Sequence, residues 1–201
     1  MKLLFIIIVI IFIYYQYKFI NKVPDVIEIM QANNPEKDQF ENIVAEKKPA
    51  VFTNILDGVN LTKRNIREYF HYYLPSLCLN YNYEILQESY AQETHIVKQT
   101  HYRYILYQIK GTKNIILFSP KETQYLYPDI SKTKSNVNFW NQNTTVYPKF
   151  NNVSYLEIIL RPRQMIYIPP GWWYTTKNDT DSNSLVCVAE TIFSKVLKKK
   201  I

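Results

Sequence analysis

Few side chains in this sequence could carry chemistry: His95 and His101 with Glu93 nearby, the two cysteines Cys78 and Cys187, and lysines set among apolar strands. A metal centre built on a strand needs donors at i and i+2, which share a face, and a third donor from a neighbouring element. Recruiting His95, His101 and Glu93 would need a bulge and another ligand, so hydrogen-bonded or surface histidines are the simpler reading. Cys78 and Cys187 fit no zinc spacing and no Cys-x-x-Cys redox pair. Cys187 lies in Leu185-Val186-Cys187-Val188-Ala189, where a buried thiol is expected, and a single disulfide to Cys78 stays open.

The elements that must position these groups are mostly strands. Pro49–Thr53 reads as a first strand, and Thr62 caps an amphipathic helix through Ile66, Tyr69, Phe70 and Tyr73. Leu77–Tyr83 alternates with the period of a half-buried strand. Tyr102–Ile109 and Asn114–Phe118 flank a turn at Gly111-Thr112, and Pro120 opens a short helix ending near Tyr127-Pro128. Residues 129–153 read as a long Asn-rich loop, after which Leu156–Leu160, Gln164–Ile168 and Ser184–Ala189 resume the strands. Thr191 onward reads as a terminal helix or tail. Many short strands without βα alternation predict a β-sandwich or barrel.

Two strings carry a family likeness. One is Gln108-Ile109-Lys110-Gly111-Thr112-Lys113 running on through Asn114–Phe118 to Ser119-Pro120. The other is Leu160–Tyr167 followed by Ile168-Pro169-Pro170-Gly171-Trp172-Trp173. Together they resemble the JmjC-like cupin family of iron and 2-oxoglutarate hydroxylases, over roughly residues 49–193. The resemblance implies a mainly β fold with minor α: a double-stranded β-helix, the cupin/JmjC-like jelly roll. It also implies a metal held by a His-x-Asp/Glu pair and a distal His. Counted back from Gly111 without a gap, the pair falls on Lys98 and Thr100, and the distal His falls on Tyr174. A lysine repels a divalent ion unless deprotonated, a threonine is a weak donor, and a tyrosine with a pKa near 10 ligates at a cost. The resemblance thus implies a degenerate triad, no metal, no cofactor and no catalytic residues.

In some members of the family, the lysine two residues after this glycine pairs with the distal carboxylate of 2-oxoglutarate, and here it is Lys113. The bland reading is a solvated strand-edge lysine. The functional one is an anion or small-metabolite site, with Lys98 beside Lys113 replacing the missing metal charge. The expected function is a non-catalytic binding or structural module; the alternative is an iron(II)/2-oxoglutarate-dependent hydroxylase with a rearranged metal site. The many tyrosines, with Trp172 and Trp173, suit either a stacking face for carbohydrate or protein, or a core in which Tyr replaces Phe and Leu. The core reading is preferred.

Leu3–Tyr15 is uninterruptedly apolar or aromatic, and the run continues to Ile20 with Gln16 and Lys18 as interruptions. Lys2, Lys18 and Lys22 flank it. With no Gly, Ala or Ser between Met1 and Gln31 for a cleavage site, it predicts an uncleaved single-pass transmembrane signal-anchor. The expected organisation is an anchor over 1–22, a stalk over 23–48, the cupin-like domain over 49–193 and a basic tail over 194–201. The net charge of +7 equals the seven lysines at residues 2, 18, 22, 195, 198, 199 and 200, so the central domain is neutral and lacks a nucleic-acid footprint. Partners expected are the membrane and a protein or small anionic ligand. Sequons at Asn60, Asn143, Asn152 and Asn178 suggest a lumenal or exterior domain, whereas the Lys198–Ile201 ending resembles a cytosolic retrieval tail; the two leave its side of the membrane open.

Overall fold

The computed structural model describes residues 2–20, 22–24, 26–55, 68, 70–74, 78–88 and 90–191. Among these residues ten strands form two sheets: β1 (Met30–Asn33), β2 (Ala50–Thr53), β3 (Cys78–Glu88), β4 (Val97–Lys98), β5 (Arg103–Lys110), β6 (Lys113–Phe118), β7 (Tyr155–Leu160), β8 (Met165–Tyr167), β9 (Trp173–Asn178) and β10 (Ser182–Thr191). The larger sheet runs β1-β2-β8-β5-β10-β3 and the smaller β4-β9-β6-β7. Apart from the parallel β1–β2 pair, every pairing is antiparallel. The mainly β expectation holds.

Strand period 2 divides the side chains into layers. Tyr104 and Leu106 of β5, Ile166 of β8 and Val186 of β10 meet Ile115 and Leu117 of β6 and Ile158 and Leu160 of β7 between the sheets. The intervening residues Ile105, Tyr107, Met165, Tyr167, Leu185 and Cys187 form a second core on the far face of the larger sheet. A strand covered on both faces reads as continuously apolar, as β5 does from Tyr104 to Tyr107. A third cluster covers the smaller sheet's far face, where Ile116, Phe118 and Trp173 pack under Leu126, Val137 and Phe150.

The far-face core corrects the expected stalk. Residues 23–48 contain β1, which extends the larger sheet beside β2, and α2 (Lys37–Ala45), whose Phe40 and Val44 at i and i+4 are buried in that core. Phe40 lies 4.6 Å from the Tyr73 ring and 5.2 Å from Phe52. Residues 70–72 are helical, as the spacing of Phe70 and Tyr73 predicts, and the earlier turns of that expected helix lie outside the described residues. So do the tail from residue 192 and the sequon at Asn60.

The Pro120 helix is a 3-10 helix over Pro120–Tyr125, and the loop after it contains a second one over Pro148–Asn152. Between β5 and β6, Gly111 has φ +74, and a Cβ there would sit 2.4 Å from the Asp181 carbonyl oxygen, so only glycine fits the turn.

The apolar N-terminal run forms α1 (Lys2–Ile20), with Leu4–Tyr15 all exposed. Among the described residues no helix is long and apolar enough to cross a membrane.

Cys78 lies opposite Thr191 and Cys187 opposite Tyr83, about 17 Å apart along the ladder, too far for a disulfide. Cys187 is a buried thiol. Asn143 and Asn152 are exposed, but Asn178 is 1% exposed and has no room for a glycan in the folded domain.

Candidate functional site

The Pro-Pro-Gly-Trp-Trp turn and the residue after it sort three consecutive aromatics between two faces. Gly171, at φ +88, turns the chain and donates its N–H to the Gln99 carbonyl at 2.8 Å. Trp172 is buried between the sheets and its indole donates to the Lys47 carbonyl at 3.2 Å. Trp173, on the opposite face, is buried under the loop region and donates to Thr123 Oγ1 at 2.9 Å. Neither tryptophan offers a stacking surface, and Tyr73, Tyr104, Tyr107 and Tyr167 are core residues, in line with Tyr replacing Phe and Leu.

Tyr174 returns to the inter-sheet face. Its ring lies 5.4 Å from that of Tyr104. Burial first, and then its hydrogen bond to Tyr174 and the nearby Glu88 and Glu84, hold the Tyr104 phenol well above its ordinary range. Burial raises Tyr174 as well, opposed by the hydrogen bond from Tyr104. Both phenols therefore stay protonated at neutral pH, and Tyr174 is a poor ligand.

The other two triad positions do not converge on Tyr174. Val97 lies opposite Tyr174 in the β4–β9 ladder, and Lys98 lies opposite Trp173. Residues directly opposite share a face, so Lys98 points outward, its ammonium 5.9 Å from the centroid of the Trp173 ring. Burial lowers its pKa, helped by Lys132. Thr100 is exposed. An ungapped count assumes strict alternation back to Gly111, but the chain bends at His101 and Tyr102, where parity is lost. The residue across from Tyr174 is thus Val97, not Lys98.

Lys113 points inward. It begins the β6 row that continues through Ile115 and Leu117, and its side chain is 1% exposed, which excludes a solvated edge lysine. Its ammonium makes an ion pair with the Glu88 carboxylate at the end of β3, so the pair ties the smaller sheet to the edge strand of the larger one. Desolvation lowers the Lys113 pKa, and the hydrogen bond and charge of Glu88 oppose it. Beside the pair, Gln108 donates to Ser182 Oγ at 2.7 Å and accepts from Ser184 Oγ at 2.8 Å. Lys98 does not assist. The partners of Lys98 and Lys113 on β9 are Trp173 and Asn178, five positions apart and about 17 Å along the strand.

The histidines are engaged elsewhere or exposed. His101 Nδ1 lies 2.8 Å from Glu190, Glu93 pairs with Lys177 at 2.8 Å, and His95 is exposed. Among the described residues no three His, Cys, Asp or Glu side chains are grouped to hold a metal ion. An outward ammonium, an exposed hydroxyl and a protonated phenol do not fit an iron(II) facial triad. Sequence counting did not find Val97, Tyr104 or Glu88. Tyr104 was within reach from its parity with Leu106, but the Glu88 contact exists only through the β3–β10 and β6–β9 registers.

A jelly roll of two mainly antiparallel sheets carrying the Pro-Pro-Gly-Trp-Trp turn defines a cupin-class domain. The family described as "Cupin-like domain" matches residues 89–190, and the chain belongs to that family, on the JmjC-like side of the cupins. It is 39% identical over 84 residues to JmjC domain-containing protein D of Dictyostelium discoideum, covering 40% of this chain and 19% of that protein. It is 39% identical over 72 residues to lysine-specific demethylase 8 of Xenopus tropicalis, covering 34% and 16%. With human tRNA wybutosine-synthesizing protein 5 the identity is 37% over 71 residues, covering 35% and 22%. The chain thus spans about a fifth of the length of these curated relatives.

Proposed function

We propose that this chain is a non-catalytic cupin-like module, a binding or structural protein held at a membrane by its N-terminal helix. The observation that carries the reading is how two inward-facing side chains are engaged by the protein itself. Where a metal and its carboxylate co-substrate would meet, Tyr174 packs on Tyr104 and the Lys113 ammonium is neutralised by Glu88. The anchor reading is supported by the exposure of large apolar side chains along α1, from 38% at Val9 to 69% at Phe5, which is costly in water. Its partners would be the membrane and a protein bound on the outer surface of the domain.

The test is metal and turnover analysis of the purified full chain. Substoichiometric iron(II) and no 2-oxoglutarate consumption are expected. Stoichiometric iron with turnover would establish instead an iron(II)/2-oxoglutarate-dependent hydroxylase with a rearranged site. Retention in the membrane pellet after carbonate washing tests the anchor separately.

A further inference from the structure

We propose that Lys113 and Glu88 form a self-occupied anion site, in which Glu88 is the resident ligand and closes the barrel to external small carboxylates. The inference rests on the non-catalytic reading and adds to it the chemical class the site recognises. Three observations carry it. Lys113 is 1% exposed and its ammonium bonds to the Glu88 carboxylate inside the barrel. Glu88 reaches it from another sheet, at the last residue of a strand that among the described residues ladders only to β10. The Gln108 amide is engaged by Ser182, Ser184 and the carbonyls of Lys110 and Gly111, so the anionic group that meets the ammonium is the Glu88 carboxylate.

A buried ammonium deprived of its carboxylate keeps its need for an anion. Truncating Glu88 to alanine removes the carboxylate and leaves a hole of about its size beside Lys113, which formate or acetate can fill. The experiment is chemical rescue of the full chain carrying Glu88→Ala, in chelator so that no metal contributes. At a carboxylate concentration about ten times the dissociation constant, the thermal midpoint of Glu88→Ala should rise by roughly 3–6 °C. Wild type and the Lys113→Met/Glu88→Ala double variant should not respond beyond the small effect of chloride at equal ionic strength. If Glu88→Ala does not fold alone, formate must restore its folding from urea.

Rescue absent in Glu88→Ala, or equal in the double variant, overturns the proposal. So does a wild-type response to formate or 2-oxoglutarate matching that of Glu88→Ala, because Glu88 would then exclude nothing. Iron-dependent turnover by wild type would instead defeat the non-catalytic reading and leave the rescue result standing.

Discussion

At the scale of single residues, the interior holds charges that a jelly roll of this size would not bury without a purpose or a partner. Lys113 and Glu88 have each other. Removing one member of a buried pair strands the other, at about 3–5 kcal/mol, whereas replacing both with apolar groups of similar volume is close to neutral. Lys113→Met should therefore lower the urea-unfolding free energy by about that amount, and Lys113→Met/Glu88→Leu should recover most of it; strictly additive losses would show that the pair does not interact. Lys47 is a different case. Burial chiefly, and then Arg103 and Lys22, lower its pKa from 10.5 to about 8. Between about pH 8 and 10.5 the unfolded chain holds a proton on Lys47 that the folded chain has released. Its contribution to stability thus rises with pH through that window, and below it a penalty on the order of 3 kcal/mol is fully present. Subtracting the stability-against-pH curve of Lys47→Met from that of wild type isolates this effect from the other titrating lysines and tyrosines. A difference that is flat from pH 8 to 10.5 would exclude it.

At the scale of elements, the site is decided by the register of two short strands. β4 is two residues long, held by Lys98 N–H to the Thr133 carbonyl and Gln99 N–H to the Trp172 carbonyl at 2.8 and 2.7 Å. That register gives Val97, not Lys98, the place across from Tyr174, and it can be tested by building on it. Val97→His/Tyr174→His would set two imidazoles on directly opposed positions, Cβ atoms about 5 Å apart, within reach of one ion. Lys98→His/Tyr174→His would set them on opposite faces. Cobalt(II) titration should show binding at least tenfold tighter for the first variant, and equal affinities would refute the register. The same elements show what was legible in the sequence. The Gly111 turn, the Trp-Trp turn and the alternation in β5, β6 and β7 are local patterns, and they led to the fold. β9 escaped because Tyr174-Thr175-Thr176-Lys177-Asn178 is largely polar, yet Thr175, Thr176 and Asn178 are buried. The inward residues of β4 escaped because parity cannot be counted through a bend, and Glu88 because its contact with Lys113 spans two sheets.

At the scale of the whole molecule, the boundary of the folded unit lies earlier than the family likeness suggests. The match to the cupin-like family covers residues 89–190, and the sequence places the domain start at Pro49. But the larger sheet begins with β1, and its far face is closed by α2 together with the residues around Phe70 and Tyr73. Arg103 fixes this layer: its guanidinium is 2% exposed, makes two 2.9 Å bonds to Glu41 of α2 and lies 5.2 Å from the Phe40 ring. A chain starting at Pro49 loses all of that. Losing Phe40 alone costs about 3–5 kcal/mol as a cavity, Arg103 loses the Glu41 carboxylate, and the rest of the far-face core opens to water. The total reaches the 5–15 kcal/mol that typically holds a domain together. A chain starting at Lys22 keeps β1, α2 and the Arg103–Glu41 pair, and gives up only the exposed apolar helix α1. It should unfold cooperatively and remain in the supernatant, while the chain starting at Pro49 should be protease-sensitive and lack a cooperative transition. Cooperative unfolding of the shorter chain would return residues 23–48 to the role of a stalk. Aggregation of the longer one, with cooperative unfolding kept in the full chain, would make α1 part of the fold rather than an appendage.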